Sequence, residues 1–201
     1  MVTGTPAGAS LMADQIYLSC WMRGFSAMNM LRHFEKLLGV FPLSRLARNP
    51  FTLKITAVNF TEPALIEVPF EQPLQISAVI AAAKDFQNAD CCYQFDAAWD
   101  LWDYDGAEWK VGPARASLFC FGPDFDNEDG ENLRIELGVD ALFLPHPELP
   151  GSARMTESNI RSLLRLAHDI DDKLQVERRQ LWTESGENFA ERLQQALSEA
   201  V

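Results

Sequence analysis

Residues 91–121 read CCYQFDAAWDLWDYDGAEWKVGPARASLFCF, and this stretch predicts a long β-hairpin. Large apolar side chains alternate with small or polar ones along its first part, which is typical of a strand with one buried face. The Asp105-Gly106 dipeptide is a turn signal that separates a strand over 91–104 from a second strand over 108–121. The sequence therefore predicts two neighbouring antiparallel strands.

The turn signal is compatible with two registers of the hairpin. A two-residue turn places Asp103 opposite Glu108 and Trp102 opposite Trp109. Like charges directly opposite one another destabilise a strand pair, so this register carries a cost. A three-residue loop over 104–106 avoids the clash between the carboxylates. We therefore favour the three-residue loop.

Strand alternation sorts the side chains of this first strand into two faces. Phe95, Trp99 and Leu101 share the face that is better suited to the core. The opposite face and the turn combine carboxylates, which would steer a basic partner, with aromatic anchors, which often dominate binding energy. The alternative interpretation is an acidic edge that prevents sheets from aggregating. The predicted partner-binding surface consists of Asp96, Asp100, Trp102, Tyr104 and Glu108.

Patterns upstream of the hairpin predict a strand, a helix, two strands and a second helix. These segments are 15–23, 26–39, 51–60, 64–70 and 73–88. Together with the strand over 91–104 they give the β-α-β-β-α-β order of the ferredoxin-like fold. In that fold we expect the fourth strand at an edge, where the rest of the hairpin would widen the sheet.

Downstream, a further strand over 133–144 brings the predicted sheet to about six strands. Prolines in 145–151 break the chain, and apolar residues at helical spacing then predict a long helix over 156–182 and a second helix from Phe189. The expected class is α+β, with a mainly antiparallel sheet and helices on one face. We expect a disordered leader over 1–11, a sheet domain over 12–150 and a helical segment over 151–201.

Charge is concentrated in one part of the chain. Residues 91–150 carry 13 Asp and Glu against three Lys and Arg, which is −10 of the total −12, and they hold three of the five tryptophans. Charge gathered around large aromatics indicates a working surface for a basic protein partner. An acidic chain is poorly suited to nucleic acid or to an anionic membrane surface, since both require clustered Lys and Arg.

No apolar run approaches the roughly 20 residues of a membrane span, and the first ten residues lack the features of a signal peptide. We therefore expect a cytoplasmic protein. Its four cysteines have no CxxC spacing, which favours buried free thiols over a zinc or redox site.

Two further motifs resemble metal sites without meeting their requirements. The acidic loop over 124–131 has Asp129 where a calcium loop needs glycine and Ile135 where it needs glutamate, so we interpret it as a solvated turn. His168 and Asp172 share a helix face, which is typical of a surface pair. No cofactor or metal is expected.

We infer a binding module without enzymatic activity, such as an adaptor, a chaperone-like protein or an inhibitor. One alternative is a small-molecule or metal-dependent enzyme that uses Asp96, Asp100 and Glu108. Another is an oligomeric scaffold subunit, such as one half of a homodimer. Its interface would be the apolar stripe of the C-terminal helices.

Overall fold

The computed structural model describes residues 13–199, so the predicted leader over 1–11 lies outside the described residues. Within this range the chain forms seven strands, four α-helices and one short 3-10 helix. The strands are β1 Gln15–Met22, β2 Phe51–Ala57, β3 Ile66–Phe70, β4 Cys91–Tyr104, β5 Trp109–Phe121, β6 Leu133–Val139 and β7 Val176–Thr183. The helices are α1 Met30–Val40, α2 Ile76–Lys84, α3 Ser152–Lys173 and α4 Phe189–Glu199, with the 3-10 turn at Asp140–Leu142.

The seven strands form one sheet in the order β3-β2-β4-β5-β6-β1-β7, and every neighbouring pair is antiparallel. The α+β class is confirmed, but the sheet is larger than the six strands expected. The ferredoxin-like arrangement is not confirmed, because β4 lies between β2 and β5 and not at an edge. β1 pairs with β6 and β7, which follow the β-α-β-β-α-β segment, so the order of the first six elements gave no indication of its partners.

Helices cover one face of the sheet, and the core lies between the helices and that face. Phe95, Trp99 and Leu101 of β4 are buried on this face, as strand alternation predicted. All four cysteines are free and buried, which confirms the prediction for them, and burial raises the pKa of Cys20 to about 12. The helical part of the core comprises Phe34, Leu37, Leu38, Val79, Ala83, Ile160, Leu163, Leu166, Ile170, Phe189 and Leu193.

The long helix predicted over 156–182 is wrong in its last third. α3 ends at Lys173, and the next residues form β7 at the edge of the sheet beside β1. Leu174 and Leu181 are seven residues apart, which is a helical spacing, so they continued the apolar stripe of α3 in the sequence. Residues 177–180 are all exposed, so no alternation marks the strand. None of the helices in the described chain is long and apolar enough to cross a membrane.

The C-terminal helices pack on the sheet of the same chain. Ile160, Leu163 and Ile170 of α3 and Phe189 of α4 are all buried in the core that they share with the strands. The apolar stripe that motivated the scaffold alternative is therefore covered, and it gives that alternative no support.

Both edges of the sheet carry residues that discourage the addition of another strand. β3 is only five residues long and contains Pro69, which has no backbone N–H to donate. β7 has three consecutive charged residues, Glu177, Arg178 and Arg179. Short edges, prolines and charges are the usual protection against strand pairing. Binding to this sheet is therefore expected at a face and not at an edge.

The outer half of the β4–β5 hairpin extends beyond its neighbours. β2 pairs with β4 only over 91–96, and β6 pairs with β5 only over 117–120. Residues 97–104 and 109–116 therefore form a two-stranded projection, which we call the hairpin arm.

Asn159 of α3 holds the free edge of the hairpin arm. Its amide Nδ2 donates to the carbonyls of Trp102 and Leu142 at 2.8 and 2.7 Å, and its Oδ1 accepts the Trp102 N–H at 2.9 Å. The side chain thus replaces the strand that is missing at this edge. Nearer the sheet, the Ser44 N–H donates to the Ala98 carbonyl at 2.7 Å.

Replacing Asn159 with alanine should destabilise the protein by roughly 2–4 kcal/mol, because three partly buried backbone groups lose their partner. Ser158→Ala is the matched control, since Ser158 is exposed on the same helix and should change stability by less than about 0.5 kcal/mol. Urea denaturation measures both. Equal stability of the two variants would contradict the role given to Asn159.

A second prediction concerns His33 of α1, which is buried and whose Nδ1 has no hydrogen-bond partner among residues 13–199. Burial, and then the nearby Lys36 and Arg32, lower the pKa of His33. Below about pH 6.5 the unfolded chain therefore takes up this proton more readily than the folded chain, which favours unfolding. Between about pH 7.5 and pH 5 the wild type should lose more stability than His33→Leu. Parallel losses in the two proteins would show that His33 does not contribute.

Candidate functional site

The face of the sheet opposite the helices carries a continuous row of polar and aromatic side chains. Antiparallel pairing sets Thr52 beside Asp96, Asp96 beside Ser117, and Ser117 beside Glu136. Tyr17 of β1 extends the row on the far side of Glu136. All five are only partly buried, so this open face is accessible at its centre.

Asp96 is the acceptor at the centre of this row. Its Oδ1 accepts hydrogen bonds from the Ser117 hydroxyl at 2.6 Å and from the Gln94 amide at 2.8 Å. Neither bond uses Oδ2. Burial is the main cause that raises the pKa of Glu136, and the nearby charge of Asp96 also raises it. The centre of the open face therefore concentrates negative charge in a partly desolvated setting.

A cavity of about 460 Å³ lies beside Asp96, between the start of β2 and the middle of the β4–β5 hairpin. Ser117 and Ala98 line it together with two arginines, Arg48 from the loop before β2 and Arg115 from β5. Sequence reasoning missed both arginines, because they are far apart in the chain and only the sheet brings them to one cavity.

Asp100 has a structural role that differs from that of Asp96. Its carboxylate accepts hydrogen bonds from the Ser44 hydroxyl and from the Arg45 N–H, the latter at 3.0 Å. The Ser44 hydroxyl in turn accepts the N–H groups of Leu46 and Ala47. Asp100 thus fixes the turn that follows α1, and both of its oxygens are engaged within the protein.

The open side of the hairpin arm carries two apolar cross-strand pairs. Trp102 lies directly opposite Val111, and Tyr104 lies directly opposite Trp109. The Tyr104 and Trp109 rings are 5.4 Å apart, and the Trp109 indole N–H donates to the Pro150 carbonyl at 2.9 Å. Val111 is 42% exposed and the three aromatic residues are partly exposed. We call these four residues the arm patch.

Both registers considered for the turn are wrong. Tyr104 pairs with Trp109, so the loop comprises the four residues 105–108, and Asp103 lies opposite Lys110. Opposite charges now face each other where a two-residue turn would have opposed two carboxylates.

Asp105 closes this loop and holds a cation beside it. Its Oδ1 accepts the N–H groups of Ala107 and Glu108, and the Lys110 ammonium lies 2.8 Å from its Oδ2. The hydrogen bond from Lys110 is the main cause that lowers the pKa of Asp105. Glu108 contacts the same ammonium at 2.9 Å, so Glu108 is paired at the exposed tip of the arm.

The five residues predicted as one surface are therefore spread along the hairpin. Tyr104 lies eight positions after Asp96 on the same strand, which corresponds to about 26 Å at the rise of a β-strand. Trp102 and Tyr104 meet in the arm patch with Glu108 nearby at the tip, whereas Asp96 lies in the body of the sheet. Asp96, Asp100 and Glu108, the carboxylates of the enzyme alternative, do not converge on one point.

The sequence suggested that the acidic loop over 124–131 is a solvated turn, but part of this loop is buried and paired. Glu131 is 2% exposed and forms an ion pair with Arg134, while Asp129 contacts the same guanidinium at 3.0 Å. That guanidinium also lies 5.3 to 5.8 Å from the ring centres of Phe121, Tyr17 and Trp182. Within residues 13–199 no group of three or more His, Cys, Asp or Glu side chains is arranged to hold a metal ion.

The His168–Asp172 pair is a surface contact at 3.6 Å between two exposed side chains, as predicted. No family model, curated protein or solved structure matches the chain.

Replacing Arg134 with methionine should cost about 3–5 kcal/mol of stability, because it leaves the Glu131 carboxylate buried without its cation. Adding Glu131→Gln to Arg134→Met should recover a large part of that loss, since no buried charge then remains. Denaturant unfolding of the single and double variants tests the coupling. A double variant no more stable than Arg134→Met would contradict it.

Proposed function

We propose that this protein is a binding module without enzymatic activity, and that it docks a partner protein with a basic surface on the open side of the hairpin arm. The observation that carries the proposal is the arm patch, in which Trp102, Val111, Tyr104 and Trp109 form two directly opposed, partly exposed pairs. An adaptor, a chaperone-like protein or an inhibitor would each use such a surface.

The arm patch has the composition and rigidity of an interface anchor. Tryptophan and tyrosine are enriched among the residues that dominate binding energy. The Trp109 indole is fixed by the Pro150 carbonyl, and the Trp102 backbone is fixed by Asn159. A surface that is already ordered loses less conformational entropy when a partner binds.

The charges around the arm patch favour a cationic partner. Lys110 pairs with Asp105 and Glu108, Asp103 lies opposite it on the neighbouring strand, and the whole chain has a net charge of −12. Such an excess accelerates encounter with a basic surface and makes the rate depend on salt. Asp96 and Asp100 extend the negative potential toward the body of the sheet.

The proposal predicts that Trp102→Ala weakens partner binding by about thirtyfold, the equivalent of a hot-spot contribution of about 2 kcal/mol. Leu164→Ala is the matched control, because Leu164 is 60% exposed on α3 and is not part of the arm. Proteins that the wild type and Leu164→Ala capture from a lysate of the source organism should be missing with Trp102→Ala. Dissociation constants for the captured protein then give the factor.

The same variants separate binding from folding. A partly exposed Trp102 should cost less stability on truncation than the roughly 3–5 kcal/mol of a buried tryptophan. If Trp102→Ala loses that much stability and still captures the same proteins, the arm patch is structural and the proposal fails.

The electrostatic part of the proposal has its own test. Asp103→Asn with Glu108→Gln should slow association and reduce its dependence on salt, with little effect on dissociation. Glu157→Gln with Asp172→Asn makes the same change in net charge on α3 and should leave the association rate nearly unchanged. Equal rates for the two double variants would remove the basic partner from the proposal.

A further inference from the structure

The cavity beside Asp96 has the size of a small-molecule site. Its volume of about 460 Å³ falls in the range of roughly 300–1,000 Å³ that is typical of ligand pockets. It lies on the open face where the body of the sheet meets the base of the hairpin arm, so that Asp96 and Ser117 line it together with Ala98 and Arg115 of the arm. Residues of the paired strands β2, β4 and β5 line most of it, and residues 47–50 of the loop before β2 complete it.

Two cations border this cavity without partners. Arg48 and Arg115 are both exposed, and within residues 13–199 neither forms an ion pair with a carboxylate. This is unexpected in a chain with 29 acidic and 17 basic residues, in which carboxylates are abundant. The planar guanidinium group presents a fork of donors that matches a carboxylate.

The cavity also offers an acceptor that the protein leaves unused. Asp96 Oδ1 takes the hydrogen bonds of Ser117 and Gln94, whereas Oδ2 accepts none from the described residues. An ionised carboxylate can only accept, so Oδ2 is free to take a donor from a ligand. The half-buried setting of Asp96 strengthens such a bond relative to one in bulk water.

A free acceptor next to unpaired cations selects a ligand with both charges. We infer that the cavity binds a small zwitterion of the amino-acid type, whose ammonium group donates to Asp96 Oδ2 and whose carboxylate accepts from Arg48 and Arg115. A simple anion would leave Asp96 Oδ2 without a donor, and a simple cation would leave both arginines without an acceptor. None of the four residues of the arm patch lines this cavity.

Thermal unfolding and calorimetry with the proteinogenic L-amino acids, tested one at a time, examine this inference on the intact chain. At least one amino acid should raise the melting temperature, because a ligand that binds only the folded state stabilises it. The corresponding carboxylic acid without the amino group, and the corresponding amine without the carboxylate, should each raise it far less.

Two variants locate the binding. Asp96→Asn retains an acceptor for Ser117 and Gln94 and should weaken the affinity at least about tenfold, as should Arg115→Gln. Lys54→Gln removes a cation from the same face outside the cavity and should leave the affinity unchanged. The inference is overturned if no amino acid binds at millimolar concentration, if the carboxylic acid alone binds equally well, or if the Asp96 and Arg115 variants bind like the wild type.

Discussion

The β4–β5 ladder runs through thirteen residue pairs, from Cys92 opposite Phe121 to Tyr104 opposite Trp109. Because side chains alternate along a strand, this one register sends Trp99 and Leu101 toward the helices and Trp102 toward the open side. β2 and β6 attach only to the inner part of the ladder, which leaves the outer part as an arm. A slip of one residue would exchange buried and exposed side chains along the whole hairpin.

The acidic character of the chain is used in two different ways. Asp100, Asp105 and Glu131 are committed to the protein itself, where they fix a turn, close a hairpin loop and pair with the partly buried Arg134. Asp96 and Asp103 keep unpaired capacity on the open face and at the arm. Local charge density in the sequence therefore overstates the number of carboxylates that are free to meet a partner.

The sequence indicated the parts of the fold that alternate strongly. The bounds of β4 and the identity of its buried face followed from Phe95, Trp99 and Leu101, each large, apolar and two or four residues from the next. β7 carried no such signal, because an edge strand with exposed residues 177–180 has no apolar face to repeat. Strand order was equally hidden, since pairing of β1 with β6 joins segments more than 100 residues apart.

The candidate sites were predictable to the extent that one strand determines them. Trp102 and Tyr104 were identified because they share a strand face, but Val111 and Trp109 become their partners only through a four-residue loop that the Asp-Gly signal did not specify. The cavity with Arg48 and Arg115 depends on three strands at once. Asn159 and Arg134 act through single side chains whose contacts lie in distant elements, and no local pattern reveals such contacts.

The central claim is that the hairpin arm is an ordered platform before any partner binds. Hydrogen exchange of backbone amides in the free protein tests it most directly, since exchange reports local opening of a segment. The account predicts that the amides of 97–104 are protected nearly as well as those of 91–96, because the ladder to β5 and the clamp from Asn159 hold them. Exchange over 97–104 as fast as in an exposed loop would contradict it.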